Sequence, residues 1–137
     1  MKNDGRVYFG LWGDFTPSEA TERIGIEPTE SWLKHSRFPE RKVPKESIWD
    51  YSSETIKDDI VDVYLLSRKV VDDLLPHTEK IRDYISEKNL RARLEVVLYI
   101  SSDDSVSTPI IGFDETVLKF LADVGATIDI DTYRKYE

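Results

Sequence analysis

Apolar and polar residues alternate through Arg6–Trp12, "RVYFGLW", with Val7, Phe9 and Leu11 on one side and Tyr8, Gly10 and Trp12 on the other. A period of two predicts a half-buried strand. The pattern then changes at "TPSEATERIG". Thr16 is suited to cap a helix, Pro17 to its first position, and Glu19 to close a capping box. Gly25 is suited to the left-handed stop, and Ala20 and Ile24 form the inner side. Ser31–Ser36 and Ile48–Ser52 read as short strands on either side of a loop holding Pro39 and Pro44. From Ile56 the apolar side recurs at steps of three and four through Ile60, Val63, Ser67, Val70 and Leu74, which predicts a helix to about Leu75. Pro76 interrupts it, and a second helix runs to about Lys88 with Ile81 and Ile85 inward.

The clearest alternation lies in Arg91–Ile100, "RARLEVVLYI". Ala92, Leu94, Val96, Leu98 and Ile100 point to the core; Arg91, Arg93, Glu95, Val97 and Tyr99 point away. The polar outer start predicts an antiparallel sheet with one wetter face. "SSDDS" reads as a turn and Thr108–Gly112 as a short strand. A helix follows from Asp114 to Gly125 with Val117, Leu118, Leu121 and Ala122 inward, and Thr127–Tyr133 is the last strand. Together these predict a single α+β domain over residues 1–137, a two-layer sandwich in which helices pack on a mainly antiparallel or mixed sheet. "DFTPSEATERIG" and "GFDETVLKFLADVG" echo each other. The echo leaves open two pseudo-symmetric halves, and independent capping grammar would produce much of the same match.

Composition narrows the function classes. A chain of 137 residues can bury roughly two-thirds of its unfolded surface without a staple. It holds no cysteine, which excludes disulfides, thiol nucleophiles and thiolate metal sites. That absence suits a reducing cytoplasm. "MKNDGRVYFGLWGD" carries no signal-peptide run, and no window reaches the length of a membrane span. The net charge of −8 argues against binding to nucleic acid or an anionic membrane. The charge is uneven: Lys34, Arg37, Arg41, Lys42 and Lys45 face only Glu40 within Lys34–Lys45, a local +4 that leaves −12 on the rest.

The segments "TPSEATERIGIEPTESW", "SIWDYSS", "LLPHTEKI" and "LADVGATIDIDTY" resemble, over roughly Tyr8–Tyr133, the bacterial domain-of-unknown-function family numbered 4279. The resemblance implies a small α+β domain and no established activity; it permits an immunity or partner-binding role. Similar sequences carry a glycine in a short turn after the first Pro-Thr. This chain has the longer, basic "KHSRFPERKVPKES" there instead.

Two sets of residues carry candidate chemistry. Trp12, Trp32, Trp49 and Tyr99, with Arg37 and Arg41 of the basic loop, would make a protein-binding patch, because rigid aromatic rings bury much area at little entropic cost. The competing reading is a second core layer, with the aromatics covered by helices, and a solvated basic hairpin. Asp129 and Asp131 share one side of the last strand. They read either as a carboxylate pair for a divalent cation, joined by Glu115 in a small metal-dependent hydrolase, or as charges that protect a sheet edge. His35 and His77 have no metal-ligand spacing, and no phosphate-binding glycine loop or nucleophile elbow occurs. The expected function is therefore a cytoplasmic, non-enzymatic module without cofactor. It would bind another protein, either a basic toxin-like one or a regulatory one, with the metal-dependent hydrolase as the alternative and a homodimer left open.

Overall fold

The computed structural model describes residues 1–136. Six strands form one sheet: β1 (Asn3–Gly13), β2 (Glu30–Trp32), β3 (Ser47–Ser52), β4 (Ile56–Asp58), β5 (Arg91–Ser101) and β6 (Thr127–Lys135). Four α-helices, α1 (Pro17–Ile24), α2 (Val63–Leu74), α3 (Thr78–Lys88) and α4 (Glu115–Val124), form the second layer. The sheet order is β2-β3-β1-β5-β6, with β4 on the same edge of β1 as β3. All pairs are antiparallel except β5–β6, which the α4 crossover makes parallel. The expected two-layer α+β sandwich with a mixed sheet is the architecture observed. The two echoing segments lead to different connections: α4 joins neighbouring parallel strands, whereas α1 leads from the central β1 to the edge strand β2.

The alternation in β1 and β5 sets the layers. Val7, Phe9 and Leu11 with Ala92, Leu94, Val96 and Leu98 are buried under the helices. Phe9 meets Phe120 of α4 edge-on at 5.5 Å between ring centres, and Phe15 meets Tyr84 of α3 likewise at 6.1 Å. Gly5 is required by close packing, since a Cβ there would lie 2.6 Å from Cγ1 of Val61. On the opposite side no α-helix among the described residues covers the sheet; it carries Tyr8, Gly10 and Trp12 of β1, the odd-numbered residues of β5, and Asp129, Asp131 and Tyr133 of β6.

Several local expectations are corrected. Ile56 does not start a helix: it pairs with Gly5 in β4, and Ile60 is 58% exposed. The helix begins at Val63, where the Asp62 carboxylate accepts the Tyr64 backbone N–H at 2.9 Å. Around Pro76 a 3₁₀ turn, Leu75–His77, separates α2 from α3, as the proline requires. The strand expected at Ser31–Ser36 shrinks to β2, and Thr108–Gly112 contributes only a bridge from Ile110 to Asp62. In α4, Leu118 and Ala122 are exposed while Phe120 and Val124 are inward, a rotation of the expected face. The Thr16 hydroxyl makes no capping bond; only its carbonyl accepts the Ala20 N–H, at 3.0 Å. Glu19 is instead drawn to α3, accepting from the Tyr84 hydroxyl at 3.1 Å and pairing with Lys88 at 3.3 Å. Gly25 does end α1 in the left-handed region, at φ 90°.

Candidate functional site

The uncovered sheet face is not flat. The basic segment folds back on itself through a bridge between Phe38 and Val43, and its return arm, Pro44–Glu46, stands beside the sheet. Between this arm and the strands lies a cleft of about 430 Å³. Tyr8, Gly10 and Trp12 of β1, Ile48 and Asp50 of β3, and Arg91 and Arg93 of β5 line its sheet side. The antiparallel registers bring them there: Gly10 lies opposite Asp50 on one side and Arg93 on the other, while Trp12 lies opposite Ile48 and Arg91. An adjoining recess of about 200 Å³ shares Pro44, Ile48 and Asp50 and extends to Glu30, Trp32 and Arg37.

Each group in the cleft has a traceable environment. The guanidinium carbons of Arg91 and Arg93 lie 5.0 Å and 4.6 Å from the centre of the Trp12 ring. Arg91 is also bonded to Glu46 of the arm. Trp32 donates its indole N–H to Glu30 at 2.9 Å, and Arg37 lies over the Trp32 ring at 5.4 Å. Gly10 makes room for the Asp50 carboxylate, because a Cβ there would lie 2.7 Å from Oδ1 of Asp50. Among the described residues, no ion pair or side-chain hydrogen bond reaches the Asp50 carboxylate. Burial first, and the charge of Glu30 second, push its pKa up to about 6, against the opposing pull of Arg6 and Arg93. The Tyr8 phenol is raised too, by burial and then by Asp50 and Glu95.

A second group of side chains lies next to the cleft on the same face. The β5–β6 register places Glu95 beside Asp129 and Val97 beside Asp131. One carboxylate oxygen from each of Glu95, Asp129 and Asp131 lies within 4.8 Å of the others. Glu95 is only 1% exposed. Arg93 bridges the two groups: its Nε lies 3.1 Å from Glu95 and its Nη1 3.8 Å from Asp129. Burial, followed by the Asp131 and Asp129 carboxyl groups close beside it, pushes the Glu95 pKa up to about 8.

The structure separates the sequence-predicted patch into five places. Trp12 lines the cleft, and Trp32 with Arg37 lines the adjoining recess. Tyr99 lies far along the sheet, opposite Asp4 rather than Trp12, and stacks on Tyr133 at 4.9 Å; the strand between Asp4 and Trp12 spans about 27 Å. Arg41 stays over Phe38 on the loop, at 5.9 Å. Trp49 belongs to no surface: it is fully buried under α1, with its indole N–H donated to the Thr21 hydroxyl at 3.1 Å. The reason is phase, because Ile48 and Asp50 take the open face of β3 and leave Trp49 to the helices. Glu115, in the first turn of α4, is not part of the carboxylate group; Glu95 takes that place. His77 sets its Nδ1 2.9 Å from the Ile24 carbonyl, a structural contact at the end of α1. Sequence reasoning missed Gly10, Asp50 and Glu95. Only the phase of Glu95, opposite to Leu94, was a usable signal.

Fold and site together define a two-layer α+β protein with one helix-free sheet face and an aromatic, charge-lined cleft on it. The chain belongs to the family described as Domain of unknown function (DUF4279), whose model matches residues 3–135. No curated protein and no solved structure matches it. No helix among the described residues is long and apolar enough to cross a membrane.

Proposed function

We propose that this chain is a non-enzymatic protein-binding module whose cleft receives a basic side chain of a partner protein. The observation that carries the reading is Asp50, a half-buried carboxylate without a partner, which lies over Gly10 where the cleft and its adjoining recess meet. A lysine or arginine entering there would pair with Asp50 and Glu30 and lie against Trp12 or Trp32. The −12 carried outside the loop would draw such a partner in, and its effect on association would fall as salt rises. A basic toxin-like partner, with this chain in an immunity-like role, fits that charge. We assign the module to the cytoplasm, because a chain without cysteine has nothing to lose in a reducing compartment.

The test is a nuclear magnetic resonance titration with short peptides, one rich in arginine and lysine and one rich in glutamate. The basic peptide is expected to shift the indole N–H signals of Trp12 and Trp32 saturably and to leave that of the buried Trp49 in place. Asp50→Asn is expected to weaken this binding at least about fivefold, the size of a partly desolvated ion pair. Equal shifts from the acidic peptide, or unchanged affinity in the variant, would refute the assignment.

Asp50 also makes a stability prediction. Its folded pKa of about 6 lies above the ordinary value of 3.8, so the folded chain holds a proton that the unfolded chain has lost between those values. Stability therefore falls as pH rises through that window. With allowance for screening through the open side of the cleft, Asp50→Asn is expected to be the more stable form at pH 8 by about 1–2 kcal/mol. At pH 4 the advantage should vanish. Urea unfolding of both proteins across this range checks it; a difference that does not vary with pH contradicts it.

A further inference from the structure

We infer that Glu95, Asp129 and Asp131 form a binding site for a hard divalent cation on the uncovered sheet face. The inference does not rest on what the cleft binds. Three acidic residues close together would not suffice, since charged surfaces commonly bring carboxylates near one another. The deciding feature is Glu95. Its side chain is 1% exposed, it points into the group, and no hydrogen bond reaches its Oε2. Arg93 Nε approaches that atom to 3.1 Å, but without hydrogen-bond geometry. A buried carboxylate oxygen with no hydrogen bond is costly, and a bound cation removes that cost.

Charge and geometry agree. A cation that displaces the proton held by Glu95 meets three carboxylates, of which Arg93 offsets one charge and leaves two, the charge of a calcium, magnesium or manganese ion. The oxygens lie within 4.8 Å of one another, and metal–oxygen distances of about 2.0–2.6 Å can span that separation. The donors are all oxygens, which selects hard cations over zinc or copper. The ligands also sit on rigid ground: Glu95 and Asp129 are paired across β5–β6, and Asp131 follows two residues on along the same face. Asp129 and Asp131 lie toward the open edge of the sheet, so the remaining coordination positions are free for water or for a ligand oxygen. Arg93 supplies the link to the cleft, since it touches Glu95 and also lies over Trp12.

The test uses the full-length protein stripped with chelator. Mn²⁺ is titrated in and paramagnetic broadening of backbone amide signals is followed, while calorimetry measures Ca²⁺ and Mg²⁺ binding. Broadening is expected to centre on β5 and β6 around Val97 and Asp131, with one saturable site below about 10 mM. Glu95→Gln is expected to weaken binding at least about tenfold, and Glu22→Gln, exposed on α1 in the other layer, to leave it unchanged. Should Glu95→Gln fail to fold by circular dichroism, Asp131→Asn provides the same reading from a half-buried position on the edge strand. Broadening scattered over the acidic surface, no saturation by about 10 mM, or undiminished affinity in a folded variant would each overturn the site.

Discussion

Trp49→Ala is expected to lower the unfolding free energy by about 3–5 kcal/mol, the usual cost of removing a large aromatic side chain from a closed core. Trp49 is wholly enclosed between β3 and α1, and its removal also leaves the Thr21 hydroxyl without the indole donor. Chemical denaturation of the variant measures the loss. Trp12→Ala serves as the contrast. That ring lies at the cleft wall, partly open to water, so its removal should cost far less stability and should act on ligand binding instead. Had Trp49 been part of a contact surface, the two variants would behave alike. Equal, small losses would show that the β3 strand is phased the other way.

Asn3→Ala is expected to cost a similar amount, about 3–4 kcal/mol, for a different physical reason. Asn3 is fully buried and its amide joins three separate pieces of backbone. Its Nδ2 donates to the carbonyls of Asp59 at 3.1 Å and Ser107 at 2.8 Å, and its Oδ1 accepts the Ser101 N–H at 2.7 Å. Alanine leaves all three backbone groups without that partner in a site closed to water. Hydrogen exchange offers a local readout, since the Ser101 amide should lose its protection before the centre of β5 does. Asn3→Asp can still accept from Ser101 but cannot donate when ionised, so it should be destabilised and improve as pH falls. A stability change within about 0.5 kcal/mol for Asn3→Ala, the range of an ordinary surface substitution, would mean that water replaces the amide and that this junction is not closed.

Much of the architecture was legible because strand and helix periods are local properties. The alternation of Val7, Phe9 and Leu11 and that of Leu94, Val96 and Leu98 put the right side chains under the helices. Pro76 and Gly25 punctuated the chain where expected. Misreadings arose where a local pattern met a tertiary partner. Ile56 and Ile60 fit the helical period of α2, but pairing with Gly5 drew Ile56 into the sheet and left Asp62 to start the helix. Glu19 suited a capping box until Tyr84 and Lys88 of α3 offered it a better pair of donors.

By itself the sequence determined a two-layer α+β domain, the inner and outer sides of its long strands, an acidic body with one basic loop, and the absence of cysteine chemistry. The tertiary structure alone decided which aromatics reach a common cleft, that Asp50 stands unpaired on its wall, and that Glu95 lies buried between Asp129 and Asp131. The division follows from range. Periodicity and capping act over a few residues and are written in the chain, whereas Glu95 meets Asp129 and Gly10 meets Asp50 only through strand register. Register is set by the packing of the whole sheet against its helices.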